Sequence, residues 1–514
     1  MTGGLIQLVA LGFEDLFITR DPQITFFKTI YRRYTNFSIQ AIQQRFDSTP
    51  NFGTLSSCTI SRTADLISDM FLVVTLPKIQ QFVNNSGVDN ITKFAWVRKI
   101  AYALIDYIEI EIGGQLIDKH YGEWLNIWHE LTDHKSTGTL KMLGDIPTMN
   151  EYTNGKDEYT MYIPLKFWFC NNVGLALPLV SLRYSEVKIN LQLHDASYCY
   201  NISPTNYIQL DTDIVNFKPF EYIQQNVDGQ IATGMFSYFD IINKYLYYTQ
   251  ISTNTFQSVA SSNTQLSYPQ QRTLLYSSSN YKYSITGLTS GFSAMPSLNS
   301  EPLTYSFNKS QISKLTLGNC YLLVDYIFLS EEERLQFAKA KHEYIIECVD
   351  SISQTTIQNT HRVIPTNTTH LTKLAVWITQ LSYLDNNNDH FNYTDSFIYE
   401  NGQLTGKSLI QTETMLFNGN NRISSRSSIY FNDVHPYEYF KYSPSEGINI
   451  YSFSLMPDKP QPSGSCNMDQ INSVSIQLSL SHDVTIFNTA NFRAYFLSQK
   501  FLRIIDGLAG LVFI

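Results

Sequence analysis

Strand-like runs dominate the chain, and in many of them apolar and polar residues alternate with a period of two. The series of strand-like runs takes in "DMFLVVTLP" (69–77), "DYIEIEIGG" (106–114), "MYIPLKFWF" (161–169), "EVKINLQL" (186–193) and "YLLVDYIFL" (321–329). It continues in "KLAVWITQL" (373–381), "INIYSFSLM" (448–456) and "VSIQLSL" (474–480). Alternation of this kind turns one face of a strand to a core and the other to water, so it predicts an all-β protein. Helical periods are few. "SEEERLQFAKAKHEY" (330–344) predicts a helix with Ser330 and Glu333 spaced as a capping box, acids at its start and Lys339 and Lys341 near its end. "GEWLNIWHELTDH" (122–134) predicts a second, with Trp124, Ile127, Trp128 and Leu131 on one face.

Near the N-terminus, "DPQITFFKTIYRRYTNFSIQ" (21–40) reads as two elements. Asp21 suits an N-cap and Pro22 the first helical position, and Ile24, Phe27, Tyr31 and Tyr34 follow at helical spacing. From Phe37 the period changes to that of a strand. Residues 200–320 differ in texture, being rich in Ser, Thr, Asn, Gln and Tyr with little charge. They are too many for an ordinary connection and predict an ordered excursion of small strands, a long loop region projecting from a β scaffold.

Three motifs recur in the same order in the two halves. "EIGGQLI" (111–117) is echoed by "LFNGNNRI" (416–423), and Val187, Ile189, Leu191 and Leu193 by Val474, Ile476, Leu478 and Leu480. Phe328-Leu329-Ser330 is echoed by Phe496-Leu497-Ser498. The shared order predicts two copies of one β domain joined near the 330–344 helix.

Composition narrows the function. A chain of 514 residues predicts two or three domains. Charged residues make up 16%, against roughly 25% in an ordinary soluble domain. A surface so poor in charge suggests cover by partners. The formal net charge is −9 and no dense Lys/Arg block occurs, which argues against direct binding of nucleic acid. Six scattered cysteines without CxxC pairs predict reduced thiols. Glu14 and Asp15 interrupt the apolar N-terminus, which lacks a basic start and makes a poor secretory signal. No apolar run approaches the roughly 18 residues that span a bilayer. A cytoplasmic, reducing place of synthesis is expected.

Catalytic chemistry finds little support. "HELTDH" (129–134) fails the HExxH pattern, because Asp133 stands where the second histidine belongs and His134 leaves the shared helical face. His120 and His129 could meet only through the fold. "DNNNDH" (385–390) begins like a calcium loop with Asp385, Asn387 and Asp389, but lacks the glycine at the sixth place and has Ser396 at the twelfth. No GxSxG, Walker A or GxGxxG motif occurs. No catalytic residue, metal or cofactor is expected. Of the Asn-x-Ser/Thr sites, Asn308, Asn367 and Asn392 are the candidate glycosylation acceptors, with Asn308 in the excursion; the absence of a secretory signal argues against the conventional route.

The segment "GGLIQLVALGFEDLFITRDPQITFFKTIYRRYTNF" resembles the N-terminus of the major capsid proteins of large icosahedral double-stranded DNA viruses, the chlorovirus- and mimivirus-like nucleocytoplasmic group. Further blocks are similar to that family: "EIEIGGQLIDKHYGEW" (109–124), "GLALPLVSLRYSEVKINLQL" (174–193) and "VDYIFLSEEERLQFAKAKHEYIIE" (324–347). So are "YSFSLMPDKPQPSGSCNMDQIN" (451–472) and "LRIIDGLAGLVF" (502–513). The likeness leaves out mainly 200–320 and parts of 385–445.

The resemblance implies a double jelly roll, two eight-stranded antiparallel sandwiches in one chain. It implies an arm over residues 1–24 and a first jelly roll over 25–344 that holds the excursion and the linker helix. A second jelly roll would cover 345–514. It further implies a structural protein, not an enzyme: a homotrimeric capsomer of pseudo-hexagonal outline, made in the host cytoplasm and tiling the virion shell. The expected partners are further copies, neighbouring capsomers, and minor capsid and penton proteins. The inner viral membrane would be met only indirectly, and a host surface would be touched through the tower loops that 200–320 enlarges. On this reading the helix from Pro22 buries its aromatics against the first sandwich, and Arg32 and Arg33 set contacts at the inner face or between subunits. The alternatives are a carbohydrate-binding or polysaccharide-acting β-sandwich, and a double jelly-roll scaffold absent from virions.

Overall fold

The computed structural model describes residues 2–84, 87–133, 136–260, 268–307, 312, 314–366, 368–396, 398–400 and 403–512. Eight strands build a first sandwich: Phe37–Gln44, Leu55–Thr59, Leu66–Leu76, Ile105–Ile112, Gln115–Tyr121, Tyr159–Pro164, Val187–Leu193 and Cys320–Leu329. Counted in that order, they form antiparallel sheets of order 1-8-3-6 and 2-7-4-5. A second set comprises His342–Ile357, His361–Pro365, Leu371–Leu381, Ile410–Phe417, Asn420–Asn421, Ile448–Ser452, Val474–Leu480 and Ala490–Ile505. These strands take the same two orders, 1-8-3-6 and 2-7-4-5. Two jelly rolls of one topology therefore lie in one chain.

The sequence echoes fall on equivalent elements. "EIGGQLI" and "LFNGNNRI" are the hairpins joining strands 4 and 5 of each half. Both turn on two residues of positive φ, Gly113 and Gly114 in one and Asn418 and Gly419 in the other. That geometry matches the strand twist and demands Gly or Asn. The V-x-I-x-L-x-L strands are strand 7 in both, each burying its four apolar residues. The Phe-Leu-Ser echo lies on strand 8 of both but is not equivalent in position. Leu329 ends the strand in the first half, whereas Leu497 sits mid-strand in the second.

The halves share structure. Strands His342–Ile357 and Ala490–Ile505 run for 16 residues each. Their inner stretches feed the second core through Ile357, Phe492, Ala494 and Phe496. Their other ends place Ile346, Cys348, Leu502 and Ile504 in the core of the first sandwich. The expected boundary near 345 thus falls inside a strand that serves both cores.

The excursion holds a seven-stranded sheet, ordered through Ser293–Ala294, Ile285–Gly287, Tyr222–Val227, Gln230–Asp240, Tyr245–Gln250, Asn206–Gln209 and Leu303–Thr304. It carries its own core, including Ile208, Ile223, Phe236, Leu246, Tyr248 and Phe256. It is an inserted module between strands 7 and 8 of the first sandwich, more regular than a long loop.

Two helices differ from expectation. No helix begins at Pro22: Asp21 has a φ of 53°, unlike the extended N-cap conformation, and residues 20–36 run as turns and irregular chain. The segment is rich in aromatic and β-branched residues, and its apolar face has nothing in the single chain to pack on, so nucleation is not offset. Short helices form instead at Gly3–Val9 and Phe13–Thr19. The helix expected over 330–344 spans Glu331–Lys339, and residues from His342 belong to a strand. Ser330 makes no capping hydrogen bond there, so the expected capping box is not formed.

The second core holds a titratable test of its packing. His435 is buried among Tyr430, Phe431, Tyr439 and Tyr451, and neither ring nitrogen has a hydrogen-bond partner among the described residues. Burial pushes its pKa down from 6.5 to about 4. The unfolded chain therefore binds a proton that the folded chain refuses, and stability falls as pH drops from about 6.5 toward 4. Relative to His435→Phe, wild type should lose about 2 kcal/mol between pH 7 and 5, read by thermal unfolding. Parallel pH curves for the two proteins would refute this.

Candidate assembly surface

Helix Gly122–Thr132 joins the halves. Gly122 opens it where a Cβ would lie 2.1 Å from the carbonyl oxygen of Tyr102 and 2.4 Å from that of Ile105, so no larger residue fits. Trp124, Ile127, Trp128 and Leu131 pack on Leu374, Val376, Ile378, Ile450, Tyr495 and Leu497 of the second sandwich. The sheet of strands 1-8-3-6 in that half is consequently covered on both faces, which explains the nearly unbroken apolar run of "KLAVWITQL". The helix 331–339, expected to bridge the halves, links them covalently but has no buried residue.

Polar groups lock the joint. Glu123 accepts hydrogen bonds from Arg493 Nε and Nη2 at 2.7 and 2.8 Å, from the Tyr495 hydroxyl at 2.7 Å and from the Tyr393 hydroxyl at 3.2 Å. Burial opposes the charge on Arg493, but the Glu123 carboxylate beside it holds the guanidinium firmly charged. Asp118 Oδ1 accepts from the Val349 amide at 2.9 Å, again across the joint. A cleft of about 530 Å³ lies beside it, lined in part by Lys99, Asn126, Glu130 and His390. Its charges are engaged: Lys99 pairs with Glu130, which also accepts from the Ser445 amide and hydroxyl.

The histidines and acids that resemble metal motifs stand apart. His120 lies 2.9 Å from Asp118 and stacks on Phe167, while His129 bonds Asp133 and rests against Tyr102. His134 lies outside the described residues. In the 385–390 turn, His390 bonds Asp385 and the Tyr198 carbonyl, and Asn388 donates to the carbonyls of Ser197 and Tyr200. That turn fastens the second half to the first. Among the described residues no cluster of three His, Cys, Asp or Glu is placed to hold a metal. The six cysteines are unpaired thiols, and burial raises those of Cys58 and Cys320 to about 12.

Asn392 is corrected as a glycosylation acceptor: it is 0% exposed, and its amide nitrogen donates to Asp389 Oδ2 and the Ser396 carbonyl, each at 2.8 Å. Asn308 and Asn367 lie outside the described residues.

The arm is where the surface departs from that of a self-sufficient monomer. Neither N-terminal helix has a buried residue. Contrary to the expectation that its aromatics pack on the first sandwich, Phe26 is 91% and Phe27 98% exposed, and Tyr31 and Tyr34 are also exposed. Arg32 and Arg33 are exposed among them. Contiguous apolar surface of this kind marks an interaction site.

The first strand extends that surface. Its inner face sends Ile42 toward the core and buries Gln44, whereas Phe37 and Ile39 point outward and remain half exposed. They pair in register with Leu329 and Ile327 of strand 8. Sequence reading found the strand but missed its orientation. The signal was available in Ile42, which breaks the Phe37-Ile39-Ala41 alternation and takes the opposite face.

The comparisons with known proteins now bear on this architecture. Residues 25–267 match the family model for the major capsid protein N-terminus, and residues 333–510 match that for the large eukaryotic DNA virus major capsid protein. The probable capsid protein 4 of Acanthamoeba polyphaga mimivirus is 39% identical over 518 residues, covering 100% of this chain and 99% of that protein. This chain belongs to the major capsid proteins of large eukaryotic DNA viruses. The major capsid protein of Phaeocystis pouchetii virus is 29% identical, with both chains fully covered. Among solved structures, the Faustovirus major capsid protein superposes with a TM-score of 0.64 at 12% identity, covering 96% of this chain and 94% of that one. A chain of the PBCV-1 virus capsid model gives 0.60 at 23%, covering 95% and 100%. As a major capsid protein the chain is structural and not an enzyme, and its double jelly roll is the fold these neighbours share.

Proposed function

We propose that three copies of this capsid protein associate into a capsomer of pseudo-hexagonal outline, and that such capsomers tile the icosahedral shell in the host cytoplasm. The observation that carries this reading is the repeated strand order. Two sandwiches of one topology per chain give a trimer six similar wall elements, and a six-sided unit packs in a hexagonal array. The exposed arm supports contacts at the base of the capsomer, with minor capsid or penton proteins as partners beyond the trimer. The separately cored sheet over 206–304 is the outward tower, turned to the environment and to a host surface. The inner viral membrane is reached through other proteins.

Light scattering of the purified full-length protein, with negative-stain imaging of the same peak, tests the proposal. The expected species has about three times the chain mass of 59.0 kDa and a hexagonal projection. A stable monomer at micromolar concentration would overturn it.

A further inference from the structure

The arm leaves the first sandwich at the rim of a groove of about 220 Å³. Leu66, Ala176 and Ile327 form its buried floor, and Leu329 and Phe337 pack against them. Phe37, Ile39 and Val173 stand along its sides, half or more exposed. An enclosed apolar space of about 150 Å³ already accepts a benzene ring, so the groove has room for an aromatic side chain. Its one acidic lining residue is Glu333, on the first turn of helix 331–339. The Oε2 atom of Glu333 is buried and has no hydrogen-bond partner among the described residues. A carboxylate oxygen removed from water without a donor is costly, and a guanidinium is the donor that best matches it.

The arm carries the complement. Phe26 and Phe27 are almost fully exposed, and Arg32 and Arg33 follow five to seven positions later. We propose that the groove takes the arm of a second copy within the trimer, with Phe26 or Phe27 seated on the apolar floor and Arg32 or Arg33 closing on Glu333. The occupant is a neighbour's arm because each chain's own arm departs from the rim. Thr35 lines the groove, and the Tyr34 ring packs edge-on against Phe37 at 6.3 Å, whereas none of the chain's own residues 26–33 lines it. Exchange of arms around a closed ring satisfies every groove with one contact type. It also explains why the first strand turns Phe37 and Ile39 outward. This inference rests on the trimeric reading above.

The test uses the full chain with Thr29→Cys on the arm and Val173→Cys on the groove rim, treated with a short bis-maleimide and run on a denaturing gel. Each single variant controls for the native thiols. Covalent dimers and trimers are expected from the double variant. Adding Glu333→Arg should cut their yield about tenfold, and adding Arg32→Glu with Arg33→Glu to that protein should restore it. Links confined within one chain, or no links in protein that light scattering shows to be trimeric, would overturn arm exchange while leaving the capsomer intact. A wild-type chain that is monomeric by light scattering would overturn the capsomer reading, and arm exchange with it.

Discussion

Replacing Glu123 with alanine should destabilise the folded chain by roughly 3–5 kcal/mol, the range for breaking one partner out of a buried ion pair. Glu123 lies in the first turn of the helix that joins the sandwiches and accepts from both nitrogens of a bidentate Arg493 fork, plus two tyrosine hydroxyls. Removing the carboxylate leaves the guanidinium in a largely buried site, where Gln380 Oε1 at 2.6 Å and Gln354 Oε1 at 3.1 Å remain as neutral acceptors. The two hydroxyls lose their acceptor at the same time. Calorimetry gives a second readout. Because the joint couples two cores, Glu123→Ala should split or broaden a transition that is more cooperative in wild type. The double variant Glu123→Ala/Arg493→Ala should cost less than the sum of the single ones, since neither charge is then stranded. A loss under about 1 kcal/mol for Glu123→Ala would show that the network contributes geometry without stability.

The second large effect concerns Glu413. Its side chain is 1% exposed in the second core, where Oε2 accepts from the Trp377 indole nitrogen at 2.5 Å and Oε1 has no partner among the described residues. Burial raises its pKa from 4.5 to about 8, against a smaller lowering by the indole donor. The folded protein therefore keeps a proton that the unfolded chain has released. Stability from this group is fully present below about pH 4.5 and is lost progressively as pH rises through about 8. At pH 7 the loss amounts to about 3 kcal/mol. Glu413→Gln retains an acceptor for the indole and cannot ionise. The wild-type minus variant difference in unfolding free energy should fall by about 3 kcal/mol between pH 4 and 7. A difference independent of pH would mean that the carboxylate is charged in the fold.

Much of this architecture could be read from the residues. Strand-like runs located many of the sandwich strands, though not the long His342–Ile357 and Ala490–Ile505, and two of the three internal echoes proved to be equivalent elements, because a hairpin turn and a buried strand leave local signatures. The joint was less visible. Helix 122–134 showed its apolar face, but nothing adjacent in sequence indicated that this face meets a sheet more than two hundred residues away. Glu123 and Arg493 likewise carry no motif, and only the fold brings them together. The helix at Pro22 failed for a related reason: its period was real, but a helix that short needs a surface to lie on. Asn392 failed because a sequon reports composition, whereas its burial follows from bonds to Asp389 and Ser396.

The sheet between strands 7 and 8 of the first sandwich begins and ends side by side, since Asn206–Gln209 pairs with Leu303–Thr304. It also has its own hydrophobic interior. A segment closed at its base and packed within itself can diverge, lengthen or be exchanged with little disturbance to the walls that hold the shell together. Sequence change within this cassette and sequence change within the sandwich walls then answer to separate packing constraints, one set by its own interior and the other by the two joined cores.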